Sequence, residues 1–369
     1  MTAPLLNKNV VVISDVLGQR GGAYRATALL CQALRAHGAN VTCFATFVES
    51  ECDAVFASKS IRIVRPLLRR GYRWDWPDRT LAWQARRHIE AVRPNAVIVM
   101  GLTRLCGYLL DSSVADQLLV WELTNADPGN KFVDAKAARL LSRCRTVLSP
   151  ALSIDQHIRT TYRYEGPIER LPFWIEDEGL SYSPPPEEFI ADFIFLARRE
   201  DDKGLRELIR ATAMLANEFP KVKVLVGGPG RAEPYAALAA ELGVLKNVSF
   251  CSLPSREDAM KALSASRCLV LPSYHEGYPL SLLEAAQRSV PFIASRVGSI
   301  SEVFHECIAF MVIPPKNARA LEEAMQAVLL QVDHEYELAR RLAFEKFREL
   351  SSTQLVRTLI QSLFKEYQA

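Results

Sequence analysis

The sequence lacks the features of membrane-spanning, secreted and disordered proteins. No run approaches the ~18 consecutive apolar residues that a transmembrane helix requires, so we expect no membrane span. Residues 1–6 show no basic region followed by an apolar stretch, as a secretory signal peptide does, which predicts a cytoplasmic protein. Apolar residues make up 49% of the chain and charged residues 24%, as in ordinary soluble globular proteins. Disordered, collagen-like and low-complexity chains are therefore excluded.

The cysteines do not form the patterns of a metal site or a disulfide framework. The eight cysteines are scattered without a C-x-x-C pair, and no histidine stands near them at metal-ligand spacing. In a long chain without a signal peptide, such cysteines are typical of reduced structural thiols. We therefore expect no structural metal and no disulfide.

The net charge of +3 conceals a division along the chain, because residues 1–150 carry +8 and the remainder −5. Part of the basic excess is a stretch interleaved with leucine, tyrosine and tryptophan: Arg62, Arg65, Arg69, Arg70 and Arg73. Such a mixture predicts contact with an anionic membrane surface. The alternative interpretation is a solvated loop beside a helix. No nucleic-acid recognition motif accompanies the charge, so we expect no nucleic acid partner.

Apolar runs alternate with helical periodicity along most of the chain. Asn9–Ser14 is a continuous apolar run, as is typical of a parallel strand buried on both faces. A glycine-rich turn, an amphipathic helical stretch and a second apolar run follow it, which together predict a βαβ unit. A second series of the same kind begins near Asp192. The sequence therefore predicts an α/β fold with two tandem, doubly wound, Rossmann-like domains.

A proline-rich and acidic segment separates the two series. Proline interrupts both helices and central strands, so we assign residues 172–190 to an interdomain linker. The predicted domains are then 1–171 and 191–340, with a cleft between them at the carboxyl ends of the strands. Residues 341–369 are predicted to be a helical segment that packs back on the first domain.

The most informative segment is a strand followed by a polar loop and a helix, in residues 272–285. Proline at 279 suits the first turn of a helix, where its missing N–H is not needed. The free N–H groups of that turn and the helix dipole favour an anion such as phosphate. Glu276 precedes the helix and Glu284 lies in its second turn, so the two carboxylates can bind different hydroxyl groups of one ligand. The alternative is an exposed helix with two unrelated glutamates.

Two cations stand where the first strand of the second series meets its helix. Arg198 ends that strand and Lys203 precedes the next helix. Two long cations above adjacent strand ends can neutralise a diphosphate. A solvated run of charges is the alternative interpretation.

The segment Glu276–Ala285, which reads E-G-Y-P-L-S-L-L-E-A, resembles the E-x7-E motif of retaining, nucleotide-sugar-dependent glycosyltransferases of family 4, which have the GT-B fold. The family's F-x-G-R-x4-K-G pattern is similar to the stretch around Arg198 and Lys203, with Ala197 in place of the glycine. The resemblance implies that Glu276, Arg198 and Lys203 are catalytic. It also implies that the donor is bound by Glu284 and its neighbours Gly277, Tyr278, Pro279 and Leu280.

Weaker matches and one departure complete the resemblance. Gly21, Gly22 and Arg25 resemble the family's G-G-x-x-[RK] loop, and a tight turn is the alternative. Gly228 and Leu253 lie in segments similar to the family's nucleotide-binding turns. The histidine that family members often place against the donor sugar is absent, and the corresponding stretch offers only other polar side chains: Thr124, Asn125 and Glu122.

The resemblance implies transfer of a sugar from a nucleoside diphosphate to a hydroxyl of a glycan or lipid-linked acceptor, with retention at the anomeric carbon. Cell-surface glycan assembly at the inner face of the membrane is the expected setting. No D-x-D triplet is present, so we expect no metal and no cofactor. Two alternatives stay open: a catalytically impaired nucleotide-sugar-binding protein and a sugar-nucleotide epimerase of the same fold.

Overall fold

The computed structural model describes residues 5–17, 22–48, 56–67, 76–129, 133–176 and 179–351. Within these ranges the chain forms two compact units that divide between residues 176 and 177. Several sites predicted from the sequence lie outside the described residues: Gly21, Arg69, Arg70, Arg73 and the segment 352–369.

The first unit is built on parallel strands joined by helices. Its elements are β1 (Asn9–Leu17), α1 (Gly22–Ala36), β2 (Asn40–Val48), β3 (Arg62–Val64), α2 (Trp76–Val92), β4 (Ala96–Met100), α3 (Arg104–Leu110), β5 (Leu118–Trp121), α4 (Ala135–Arg139), β6 (Thr146–Ser149), α5 (Leu152–Thr161) and β7 (Ile168–Arg170). The strands form a seven-stranded sheet in the order β3-β2-β1-β4-β5-β6-β7. Every residue of β4 is buried, because helices cover both faces of a central parallel strand.

The second unit repeats this architecture. Its elements are β8 (Ala191–Leu196), α6 (Leu205–Leu215), β9 (Val224–Gly227), α7 (Glu233–Glu241), β10 (Val248–Phe250), α8 (Arg256–Ser264), β11 (Ser266–Leu271), α9 (Leu280–Gln287), β12 (Phe292–Ser295), α10 (Ile300–Val303), β13 (Phe310–Ile313), α11 (Ala318–Leu330) and α12 (Asp333–Leu350). Its six-stranded sheet has the order β10-β9-β8-β11-β12-β13. Phe193 and Phe195 of β8 lie in a core with Leu205 and Leu208 of α6. The prediction of two doubly wound parallel sheets in an α/β fold is confirmed.

The predicted linker is packed against the two units at its ends. Phe173 and Trp174 are buried and lie against Trp121 in the first unit, with ring centroids 4.9 and 6.1 Å away. In the second unit, Arg340 of α12 donates to the carbonyl of Ser183 at 3.0 Å. The helix α12 also crosses the predicted boundary at residue 340 and buries Phe344 in the second unit. The structure thus places residues 341–350 in the second unit.

The basic stretch is only partly described. Arg62 lies in the edge strand β3 and Arg65 just after it, and both side chains are exposed. Charged side chains on an edge strand also discourage pairing with another chain. None of the described helices is long and apolar enough to cross a membrane.

Candidate active site in the second unit

The predicted site residues of the second unit gather where the strand order reverses. Strands β8 and β11 are neighbours in the sheet but are separated in the chain by β9 and β10. The loops after their carboxyl ends carry Arg198 and Lys203 on one side and Glu276 on the other. In open α/β sheets such a switch point forms a crevice, which is the usual position of a ligand.

Lys203 and Glu276 form an ion pair at this switch point. The Nζ atom of Lys203 lies 2.7 Å from Oε1 of Glu276, and the hydroxyl of Ser273 donates to the same oxygen at 2.7 Å. The side chains are only 14% and 12% exposed, so the pair is poorly screened by water. Both bonds fall on Oε1. Among the described residues, the other oxygen, Oε2, is left for a ligand.

Close backbone contacts hold this loop in place. Gly204 has φ +71°, and a methyl group there would collide with the carbonyl oxygen of Pro272. Gly298 has φ +56°, and its methyl group would collide with the carbonyl of Glu276. The next residue, Ser299, donates its N–H to the carbonyl of Gly277 at 3.0 Å. Both glycines are therefore required by backbone conformation and by close approach to the segment 272–277, which carries Glu276.

Arg198 is held by acidic neighbours. Its Nη1 donates to Oε1 of Glu200 at 2.6 Å, and its Nη2 lies 4.0 Å from Asp202. The guanidinium is about one-third exposed and thus accessible to an anion. Ala197, which stands where the family has glycine, packs against the hydrophobic core of the unit. This packing explains why a methyl group is tolerated there.

The helix α9 begins at Leu280, after Pro279, as the sequence predicts. Its first N–H groups have no acceptor within the helix and are suited to an anion. Tyr278 is buried just before it, and burial raises the pKa of its hydroxyl, which therefore stays neutral. Glu284 lies in the second turn, and its Oε1 is 3.5 Å from Nε of Arg256.

Two further predicted residues lie at the neighbouring strand ends. Gly228 follows β9 and passes close to the carbonyl of Ala197 at the end of β8. Leu253 follows β10, and its side chain packs against Gly227. Arg199 ties these loops together, because its guanidinium donates to the carbonyl of Cys251 at 2.5 Å and to that of Gly230 at 3.2 Å. Leu253 and Gly228 thus border the same end of the sheet as Lys203 and Glu276.

In the first unit, the predicted residues lie at the carboxyl ends of β1 and β5. Gly22 begins α1, and Arg25 is buried in its first turn. After β5, Glu122 is only 1% exposed. Its carboxylate accepts from Leu102 N at 3.1 Å and from the hydroxyl of Thr124 at 2.9 Å. Glu122 thus stabilises the loop through hydrogen bonds inside the first unit.

The remaining candidates of that loop are accessible. Thr124 and Asn125 are both partly exposed. His157 of α5 reaches the same loop, and its Nε2 lies 3.0 Å from the carbonyl of Ala126. His157 thus contacts the backbone of this loop.

Glu122→Gln is expected to reduce the pH dependence of the stability of the first unit. Burial raises the pKa of Glu122 to about 7, although its hydrogen bonds oppose the shift. A raised carboxyl pKa means that stability is complete below the ordinary value and is lost as pH rises through about 7. The wild type should therefore unfold at a lower temperature at about pH 8 than at about pH 5. Asp15, whose pKa burial and the Asp78 charge also raise to about 7, contributes in the same direction.

Tryptophan fluorescence measures this effect selectively, because all five tryptophans of the chain lie at or before residue 174. Thermal unfolding is followed across this pH range in the wild type and in Glu122→Gln. Glu165→Gln, which changes an exposed glutamate of the same unit, is the control. An unchanged pH slope in Glu122→Gln would show that the carboxyl is ionised throughout.

Three residues of the site were not predicted from the sequence. Ser273 binds Glu276, Glu200 binds Arg198, and Arg256 approaches Glu284. Ser273 and Glu200 lie within three residues of their partners, so local spacing offered a weak signal. Arg256 is 28 positions from Glu284, and no local pattern indicates that pair.

The second unit matches a family of known proteins in sequence. Residues 186–343 match the family described as glycosyl transferases group 1. The match lies in the second unit and includes Arg198, Lys203, Glu276 and Glu284. A stretch of 185 residues is 31% identical to the D-rhamnosyltransferase WbpZ of Pseudomonas aeruginosa, and it covers 49% of this chain and 44% of that protein. The chain therefore spans less than half the length of this curated relative.

Solved structures share the fold over nearly the whole chain. Sucrose-phosphate synthase from Thermosynechococcus elongatus superposes with a TM-score of 0.77 at 17% identity, over 98% of this chain and 99% of that one. Anabaena Alr3699/HepE, solved in complex with UDP and glucose, superposes with a TM-score of 0.76 at 13% identity, over 98% and 100% of the two chains. At these identities the likeness establishes the fold alone.

The prediction of a GT-B fold is confirmed, and the family match in the second unit agrees with the resemblance found in the sequence. The family match covers the unit that holds the Lys203–Glu276 pair, and the fold match extends over the first unit as well. The second unit is thus similar to the group 1 glycosyltransferases over residues 186–343.

Proposed function

We propose that the protein is a retaining glycosyltransferase that moves a sugar from a nucleoside-diphosphate donor to a hydroxyl group. The observation that carries this proposal is the ion pair between Lys203 and Glu276, beside the first turn of α9, in a domain similar to the group 1 glycosyltransferases. The arrangement puts a cation for a phosphate next to a carboxylate oxygen for a sugar hydroxyl. A nucleotide sugar carries a diphosphate on its anomeric carbon and hydroxyl groups on other carbons of the same sugar.

Catalysis in this proposal is mainly electrostatic. Breaking the anomeric bond leaves negative charge on the departing diphosphate and positive charge on the sugar. Lys203, Arg198 and the helix N-terminus at Leu280 stabilise the leaving group. Glu276 holds the sugar through Oε2, and Glu284 binds the ribose. Retention follows from the family resemblance, and we assign no protein nucleophile.

The comparisons support a nucleotide-sugar donor. One structural neighbour was solved with UDP and glucose, and one relative is named a D-rhamnosyltransferase. We propose a hydroxyl of a glycan or a lipid-linked saccharide as acceptor, in cell-surface glycan assembly. Arg25, Thr124 and Asn125 of the first unit are the proposed sugar or acceptor contacts.

A donor panel tests the proposal. The full chain is incubated with nucleoside-diphosphate sugars that differ in base and sugar, with and without a membrane extract as acceptor, and released nucleoside diphosphate is measured. Acceptor-dependent release, with a product whose anomeric configuration matches the donor by NMR, is the expected result. Binding without turnover would favour the impaired binding protein. A changed donor sugar without any acceptor would favour the epimerase.

Metal independence is part of the proposal, because Arg198, Lys203 and the N-terminus of α9 would neutralise the diphosphate without a metal ion. Turnover of the best donor is measured after treatment with EDTA and after addition of Mg²⁺ or Mn²⁺. Activity that survives EDTA is expected. Loss of activity that either metal restores would contradict it.

Peripheral contact with the cytoplasmic face of a membrane is also proposed. Arg62 and Arg65 are exposed and have the charge that an anionic surface attracts, and a lipid-linked acceptor would be presented there. Co-sedimentation with vesicles that contain or lack anionic lipid tests this part. Sedimentation that is independent of anionic lipid would count against it.

Glu200→Gln is expected to tighten binding of nucleoside diphosphates roughly two- to fivefold. Arg198 donates a hydrogen bond to Glu200 at 2.6 Å, so a diphosphate would compete with that carboxylate for the same guanidinium. Removal of one partly exposed charge changes affinity modestly. Isothermal titration with the diphosphate of the best donor measures the effect. Glu241→Gln, an exposed glutamate of the same unit, is the control, and weaker binding in Glu200→Gln would refute the competition.

A further inference from the structure

A second ion pair of the site joins two helices that the sequence did not connect. Arg256 is the first residue of α8, and Glu284 lies in the second turn of α9. The Nε atom of Arg256 is 3.5 Å from Oε1 of Glu284, and the side chains are 25% and 15% exposed. The pair is therefore largely shielded from solvent, where electrostatic contacts are stronger than at an exposed surface.

A capping box holds the first turn of α8, so the backbone position of Arg256 is well defined. Ser255 accepts a hydrogen bond from the N–H of Asp258 at 3.1 Å, and the Asp258 carboxylate accepts from the N–H of Ser255 at 3.2 Å. These reciprocal bonds form a capping box. The chain that carries Arg256 is thereby anchored to the helix start, three residues after Leu253.

Helix stability does not account for an arginine at this position. The N-terminus of a helix carries partial positive charge, so a cation in the first turn of α8 is unfavourable by itself. Ordering a long arginine side chain has a further entropic cost. The ion pair with Glu284 offsets part of both costs. The guanidinium of Arg256 is therefore placed to act on the carboxylate of Glu284.

We propose that Arg256 is a positioning residue that orients Glu284 toward the ribose hydroxyls of the donor. This inference rests on the proposed function, in which Glu284 binds the ribose. A guanidinium against Oε1 limits rotation of the carboxylate, so the acceptor oxygens are arranged before the ligand arrives. Such preorganisation increases affinity only for ligands that use the contact. Arg256 therefore sets the preference of the site for ribonucleotides over deoxyribonucleotides.

The experiment compares matched nucleotides on the full chain. Dissociation constants are measured by titration calorimetry for UDP, GDP, ADP and CDP and for the 2′-deoxy form of each. For the bases that bind, the wild type should prefer the ribonucleotide by about tenfold, the effect of one good hydrogen bond to a charged group. Arg256→Gln should bring the two constants to within about twofold, mainly by weakening the ribonucleotide.

Three further variants separate positioning from a merely structural role. Arg256→Lys keeps the charge and should restore part of the preference. Glu284→Gln should lose the preference, and the double variant Arg256→Gln/Glu284→Gln should lose no more than Glu284→Gln alone, because both residues act through one contact. Lys261→Gln removes an exposed ion pair with Glu257 on the same helix and should leave the preference unchanged.

The outcomes distinguish this inference from the proposed function. If nucleoside diphosphates bind but Arg256→Gln weakens ribo and deoxy forms equally, Arg256 only ties α8 to α9 and the inference is overturned while the proposed function stands. If Glu284→Gln leaves the preference unchanged, Glu284 does not contact the ribose and the inference is also overturned. If no nucleoside diphosphate binds to the wild type, both fail together.

Discussion

Glu276→Ala is expected to lower sugar transfer by about 10³-fold or more while leaving affinity for the free nucleoside diphosphate unchanged or higher. The variant removes the carboxylate that is proposed to bind the donor sugar, and this contact is proposed to stabilise the transition state. Lys203, which Glu276 holds at 2.7 Å, would then be free to bind phosphate. Loss of turnover with retained diphosphate binding is therefore the combination that the geometry predicts.

The measurement needs both readouts and a matched control. Turnover with the best donor and titration of its diphosphate are compared in the wild type, Glu276→Ala and Glu276→Gln. His275→Ala, which changes the exposed neighbour in the same loop, should retain turnover. Equal turnover in Glu276→Ala and the wild type would remove Glu276 from the mechanism. Loss of diphosphate affinity together with turnover would indicate that the loop had collapsed.

Gly298→Ala is expected to destabilise the second unit and to lower activity, although Gly298 is not one of the proposed ligand-binding residues. Residue 298 has a φ of +56°, and an alanine in this left-handed conformation costs about 1–2 kcal/mol of stability. In addition, the new methyl group would collide with the carbonyl of Glu276 and lie 2.8 Å from that of Gly277. The loop that places Glu276 beside Lys203 must then shift, and displacement of a catalytic group by about 1 Å is enough to reduce turnover about 10²-fold.

Gly243→Ala is a control that separates these two effects. Gly243 also has positive φ, +74°, but a methyl group there has no heavy atom within 4 Å. It therefore suffers the backbone strain without the collision. Calorimetric unfolding should show a larger loss of stability in Gly298→Ala than in Gly243→Ala, and turnover should fall in Gly298→Ala alone. Equal effects of the two variants would refute the proposed role of the close contact.

The architecture was readable from the sequence because its signals are local. Buried parallel strands are continuous apolar runs, and Ala96–Met100 is one that the structure reproduces to the residue. Pro279 predicted the start of α9, since proline suits a first helical turn. Short strands at or near the sheet edges, such as Arg62–Val64 and Ile168–Arg170, were missed because a half-exposed run of three residues has no distinctive pattern.

The orientation of individual polar side chains was harder to predict from the sequence than the architecture. Glu122, Thr124 and Asn125 were equal candidates for a sugar contact in the sequence. The fold turns Glu122 inward, where the loop backbone and the hydroxyl of Thr124 satisfy its carboxylate, and leaves the other two partly exposed. This difference depends on the path of the loop after β5, and no short sequence pattern encodes that path.

By itself, the sequence determined the α/β class and the two units, and it named Arg198, Lys203, Glu276 and Glu284 as candidate site residues. Hydrophobic periodicity and motif spacing are properties of neighbouring residues, so folding is not needed to see them. Only the tertiary structure decided that Lys203 pairs with Glu276, 73 positions away, and that Arg256 approaches Glu284. The physical reason is the sheet order: placing β11 beside β8 brings the two loops to one edge, and packing of α8 and α9 on that sheet then selects which charges meet.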